Sequence, residues 1–183
     1  MLTGRRADKG STMSTSGHHT HTHLHHAPHD SAHDVSQIIA EAAAACAKRG
    51  LRLTDQRREV LSILAEAPKP LGAYDILSIM TDRGHRKLAP VTVYRALDFL
   101  LEADLIHRLE SRNAFVLCPH HHDKSELVVF LICDACGRVE EATSETVRAG
   151  LADIAKQHQF ALRGQVVEME GRCTDCSPAS MVA

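Results

Sequence analysis

Phe130-Leu131-Ile132-Cys133-Asp134-Ala135-Cys136-Gly137-Arg138-Val139 runs an apolar strand into Cys-x-x-Cys, a glycine turn and a second short strand. Cys173-Thr174-Asp175-Cys176 repeats the spacing near the end of the chain. Four thiolates in two such pairs suit one tetrahedral zinc ion, because a two-residue gap lets both sulfurs of a pair reach one metal from a tight turn. Gly137 supplies the positive φ that such a turn uses. Disulfides and thiol redox chemistry are the competing readings. Two pairs with thirty-six residues between them, and no recognisable export signal, favour a structural ion.

The 183 residues suffice for one ordinary domain or two small ones. Hydrophobic residues make up 44% and aromatics only 3%, with no Trp, so the core must come from Leu, Val, Ile and Ala. No apolar run approaches the roughly 18–20 residues of a membrane span. Arg5 and Arg6 are not followed by an apolar stretch, so no secretory signal is read and the cytoplasm is the expected compartment. The net charge of −2 hides an asymmetry. Residues 48–112 hold twelve Lys and Arg against nine Asp and Glu (+3), and residues 113–183 hold six against ten (−4). Nucleic-acid binding would therefore need a local basic surface in the first half.

Residues 1–33 read as a disordered tail rich in Ser, Thr, Gly and His, with eight histidines from His18 to His33. Such a run binds zinc or nickel loosely. Val35, Ile38, Ile39 and Ala42 then fall at helical spacing and predict a helix to Arg49, ended by Gly50. Thr54 is an N-cap candidate for a helix from Asp55 to about Glu66, and a third helix runs from about Ala73 to Thr81. Pro90 opens a fourth, to about Glu102. It turns Val93, Ala96, Leu97 and Leu100 to one side and Val91, Thr92, Tyr94, Arg95 and Asp98 to the other. That outer face offers the guanidinium, phenol, hydroxyl and methyl groups that a DNA major groove accepts.

Leu105–Leu109 and Ala114–Cys118, joined by Glu110-Ser111-Arg112-Asn113, read as a two-stranded wing. Helices followed by a wing, with Arg52, Arg57, Arg58 and Arg112 at the rim, make a DNA-binding pattern. Pro119-His120-His121-His122-Asp123-Lys124-Ser125 reads as a hinge dense in metal-ligand side chains. Beyond Cys136, Ser144 caps a helix to about His158 with Val147, Leu151, Ile154 and Ala155 apolar, and Phe160–Met169 reads as a last strand. The second half is thus strand, strand, helix, strand. That is a meagre core, which a zinc staple and a second copy would supplement. The fold class is α+β, in the order tail 1–33, winged-helix domain 34–118, hinge 119–125, dimerisation and metal-binding domain 126–176, and a short tail 177–183.

Taken together, Leu53-Thr54-x-Gln56-Arg57-Arg58-Glu59-Val60-Leu61, Ala73-Tyr74-Asp75-Ile76-Leu77, Pro90-Val91-Thr92-Val93-Tyr94-Arg95-Ala96-Leu97, the hinge histidines and the two Cys-x-x-Cys pairs resemble the ferric uptake regulator family of metal-sensing repressors. The resemblance covers about residues 36–176. It implies a winged-helix domain hinged to a dimerisation domain. Metal at the hinge then sets the angle between the two DNA-binding domains of a homodimer docked on an AT-rich palindrome. It also implies base contacts from Tyr94, and base or phosphate contacts from Arg95.

Leu97-Asp98-Phe99-Leu100 and Phe115-Val116-Leu117-Cys118 look most like the zinc uptake regulators of that family. There the sensing ligands correspond to His107, Cys118, a hinge histidine and Glu141. A thiolate among imidazoles favours zinc over iron or manganese. Iron sensors of the family place His-His-Asp-His just before the Cys-x-x-Cys strand. Here His120-His121-His122-Asp123 sits farther back, and Glu126–Ile132 contains no histidine. His122 is the expected fourth ligand, with His120 and His121 as alternates. The expected function is a zinc-responsive repressor of zinc-uptake genes, with one structural and one regulatory zinc ion per chain. The same fold sensing iron, manganese, nickel or peroxide is the alternative, and a zinc buffer built on the tail is a third reading. An enzyme is not expected, because neither four-ligand site leaves an open position for water.

Overall fold

The computed structural model describes residues 31–85, 88–118, 127–162 and 166–177, with side chains from Val35 onward. The hinge histidines His120, His121 and His122 and the His-rich run fall outside the described residues, apart from the backbone of His33. The architecture is mixed α and β. Helices α1 (Ser31–Lys48), α2 (Asp55–Glu66), α3 (Ala73–Asp82) and α4 (Pro90–Glu102) precede a hairpin, β1 (Ile106–Leu109) and β2 (Ala114–Leu117). Strands β3 (Val128–Cys133) and β4 (Val139–Thr143), helix α5 (Glu145–Gln157) and strand β5 (Val167–Gly171) follow.

In the first half the 3.6-residue period carries the fold. Leu61 and Leu64 of α2, Ile76 and Met80 of α3, and Val93, Leu97 and Leu100 of α4 close on one cluster, to which α1 adds Ala42 and Cys46. The neighbouring α1 starts one turn before the apolar spacing begins. Gly50 closes it at φ +67°. Thr54 does occupy the N-cap of α2, but its side chain makes no capping hydrogen bond. The connector after Pro70 pairs back on the hairpin, Leu71 and Phe115 exchanging N–H···O bonds of 3.1 and 2.8 Å.

Strand alternation makes the hairpin an interlayer. Ile106 and Phe115 turn to the helical core, with Leu117 packed against it. His107 pairs with Val116 and Leu109 with Ala114, so His107, Leu109, Val116 and Cys118 share the opposite face. That face lies on β3, where Leu109, fully buried, meets Val128, Phe130 and Ile132.

The second sheet has the order β4-β3-β5, with β4 antiparallel and β5 parallel to β3. The last strand is shorter than Phe160–Met169 suggests. Its parallel register with β3 runs only from Val167 to Gly171, and Phe160 instead closes the end of α5 through its N–H to the Ala155 carbonyl. Ser144 caps α5, its hydroxyl accepting from the Val147 N–H at 3.4 Å. Of the apolar residues on α5, only Ala155 is buried.

Candidate metal and nucleic-acid sites

The end of β3 turns at Gly137, φ +78°, whose N–H bonds the Cys133 carbonyl while the Cys133 N–H bonds the Arg138 carbonyl. This turn presents Cys133 and Cys136. The second turn, closed by Cys176 and Ser177 N–H bonds to the Cys173 carbonyl, presents Cys173 and Cys176. Asp134 N–H to the Gly171 carbonyl at 2.8 Å, Arg138 to Asp175 at 2.5 Å and Arg172 to Asp134 at 3.4 Å lock one turn against the other. The four sulfurs lie within 4.8 Å of one another, and none is in a disulfide.

Their ionisation is uneven. The Cys173 amide, then that of Cys136, pulls the Cys133 thiol down to about 6. Cys176 is pushed up to about 12, first by its hydrogen bond with Cys173 and then by that with Cys136. Four sulfurs so close resist carrying four negative charges, which is the conflict a divalent cation resolves. Donor type, number and spacing fit tetrahedral zinc.

A second cluster joins the two halves. His107 and Cys118, on the inward face at the base of the hairpin, meet Glu141 of β4, all three ligand atoms lying within 4.8 Å of one another. His107 Nε2 is 3.9 Å from Glu141 Oε1, and the imidazole sits edge-on to Phe130 at 5.2 Å. Register explains the meeting, because Glu141 is the cross-strand partner of Phe130. One sulfur, one nitrogen and one carboxylate oxygen leave room for a further ligand in a tetrahedral set.

The outer face of α4 is open: Val91 is 51% and Tyr94 42% exposed, Arg95 and Asp98 are exposed and Thr92 is half-buried. Arg52 is exposed as well. Arg57 is differently placed, its guanidinium 3.5 Å from the centre of the Phe99 ring and donating to the Arg52 carbonyl at 2.5 Å. Arg112, at the wing tip, pairs with Glu170 at 3.0 Å.

From sequence Arg49 reads only as the last residue of the first helix. From the end of α1 it donates to the Ala103 carbonyl at 2.8 Å, the Glu102 carbonyl at 3.0 Å and Asp104 at 3.2 Å. It thereby caps the C-terminus of α4. Nothing local signals this, since its partners lie more than fifty residues away.

A model of the ferric uptake regulator family matches residues 48–170. The zinc uptake regulation protein of Escherichia coli K12 is 39% identical over 142 residues, which are 78% of this chain and 82% of that protein. The ferric uptake regulation protein of Yersinia pestis is 33% identical over 129 residues, covering 68% of this chain and 82% of its own length. Among solved structures, a zinc uptake regulator complexed with zinc and DNA matches at a TM-score of 0.73 and 38% identity, over 77% of this chain and 93% of that one. The crystal structure of holo XcZur matches at 0.68 and 41%, over 76% and 96%.

Proposed function

The chain belongs to the ferric uptake regulator family, and from that premise we propose that it is a zinc-responsive transcriptional repressor. It binds operator DNA as a metal-loaded homodimer and controls zinc-uptake genes, in the cytoplasm. The observation that carries the reading is the cluster of His107, Cys118 and Glu141, which brings a thiolate into a mixed set bridging the hairpin and β4. That donor set favours zinc over iron or manganese. His122, or else His120 or His121, supplies the fourth ligand.

On this reading each chain holds two zinc ions with different tasks. Cys133, Cys136, Cys173 and Cys176 hold a structural ion, whose positive charge lets all four sulfurs ionise together. His107 and Cys118 from the hairpin and Glu141 from β4 hold an exchangeable one. When those three converge, the base of the wing hairpin is fixed against the sheet, and with it α4, whose core face packs into the same cluster as Ile106 and Phe115. Tyr94, Arg95, Thr92 and Arg52 then meet the major groove of an AT-rich palindrome. Arg57 serves by holding the segment before α2 against Phe99 of α4. Homodimerisation is supported by the apolar surface of the second half, where Ile154, Phe160, Val166 and Met169 are each more than half exposed.

The test is fluorescence anisotropy of an AT-rich palindrome titrated with buffered zinc, iron(II) and manganese(II) at fixed salt, since phosphate contacts make affinity salt-dependent. Zinc should act at the lowest free concentration. Cys118→Ser should weaken zinc-dependent binding by roughly 5–150-fold, the usual range of allosteric coupling, and leave the fold intact. An unchanged zinc response in that variant would overturn the assigned sensor. Activation by iron or manganese first would overturn zinc as the effector.

A further inference from the structure

The register of the second sheet places two acidic residues where the wing can reach them. Glu141, Phe130 and Glu168 form one row across β4, β3 and β5, and Val139, Ile132 and Glu170 form the next row on the same face. The hairpin lies along this face. Its base reaches Glu141 through His107, and its middle buries Leu109 on β3. Its tip reaches β5: Glu168 accepts from the Glu110 N–H at 2.6 Å, the Ser111 N–H at 3.1 Å and the Ser111 hydroxyl. Glu170 accepts from Arg112 Nε at 3.1 Å and Nη2 at 3.0 Å.

We propose that Glu168 and Glu170 are positioning residues for DNA recognition, a carboxylate latch that holds the wing tip to β5 and fixes the operator-competent orientation of the DNA-binding half. The proposal rests on the regulator reading above. Its argument is mechanical. One anchor at the base of the hairpin leaves the DNA-binding half free to pivot about it. A second anchor at the far end, across the Leu109 fulcrum, removes that freedom. The bonds are charge-assisted, and two of the Glu168 donors are backbone amides with fixed directions, so the contact sets position as well as affinity. The likeness to the zinc- and DNA-bound regulator covers 77% of this chain, enough to take in both halves. Arg112 in this arrangement serves the latch.

The experiment compares full-length wild type, Glu168→Gln and the Glu168→Gln/Glu170→Gln double variant, all zinc-loaded. Exchange of the Glu110 and Ser111 amides reads the latch directly and should accelerate in the variants. Operator affinity at saturating zinc should fall about five- to tenfold. Zinc affinity at the His107–Cys118–Glu141 cluster should fall as well, because its apparent value scales with the fraction of molecules whose hairpin is held against the sheet. A contact that merely braces the fold would leave that zinc affinity unmoved. Faster exchange with unchanged DNA and zinc affinities would overturn the proposal. So would tighter DNA binding, which would mean that the carboxylates compete with phosphate for the wing tip. If wild type itself ignores zinc on DNA, the regulator reading fails. Small-angle scattering of the same three proteins then decides the latch, a larger radius of gyration in the double variant supporting it and equal radii overturning it.

Discussion

The helical half and the sheet half hold themselves together by different means. Among the described residues, eighteen buried side chains form one cluster around α2, α3 and α4, and none of them is contributed by the second half. The inner cluster of the second half has four, and one of these, Leu109, is lent by the wing. Each large apolar side chain that is fully buried contributes about 1.5–3 kcal/mol, so the first half carries its own stability. The second has to borrow it from the four-cysteine clasp, from the hairpin laid on β3, and from whatever covers α5. Elements held by such bonds can be moved by a metal ion or a partner, while the helical cluster that carries the outer face of α4 stays rigid.

Zinc removal should break this contrast open with the largest effect. Structural zinc sites contribute about 10–16 kcal/mol of binding free energy in small domains, more than the sheet half can replace. A strong chelator, or Cys136→Ser, should abolish amide protection across β3, β4 and β5 and leave α2 and α4 protected. The check is hydrogen exchange followed segment by segment. Simultaneous loss in both halves would show that the helical cluster is not self-sufficient.

Ile154→Asp sharpens the comparison from the other side. Ile154 is 55% exposed on a helix that buries only Ala155. If a second copy covers it, a carboxylate there must be desolvated without a partner, and a central interface position of this kind is worth roughly 2–4 kcal/mol. The dimer dissociation constant should rise by about 30- to 1,000-fold, measured by sedimentation, with no change in the helical half. An unchanged constant would place the interface elsewhere.

The helical half was largely legible because its signals are local. Period, caps and Pro90 suffice to bound α2 and α4, and the outward turn of Val91, Tyr94 and Arg95 follows from rotation alone. The Cys-x-x-Cys pairs were legible because spacing itself encodes a chelate. The meeting of His107, Cys118 and Glu141 came instead from family resemblance, since it depends on how the hairpin lies across β3. Glu168 and Glu170 carried one usable hint, the alternation Val167-Glu168-Met169-Glu170, which puts both acids on one face of a strand. What that face touches depends on register, and no local pattern states it. Arg57 and Arg112 read as rim cations for DNA because side-chain charge is visible in sequence, whereas Phe99 and Glu170 as their partners are not.

The smallest effect separates the two ends of the hairpin by pH. Burial pushes the Glu168 carboxyl up, but the Ser111 hydroxyl, the Glu110 and Ser111 amides and Arg112 together outweigh it and hold it below the ordinary 4.5. The charged group that acts on it is Arg112 from the wing, which itself pairs with Glu170. A carboxyl lowered on folding adds its stability fully above the unfolded value and loses it only as pH falls through the lower folded one. The latch should therefore stay closed from about pH 7.5 to about pH 5.5. The hairpin base has no such margin, because a thiolate and an imidazole must shed protons to hold a metal. Over that interval, zinc-dependent DNA binding should weaken while protection of the Glu110 and Ser111 amides, corrected for intrinsic exchange, stays constant. Loss of protection at the tip in step with the zinc response would mean that the latch closes only when the base is already held.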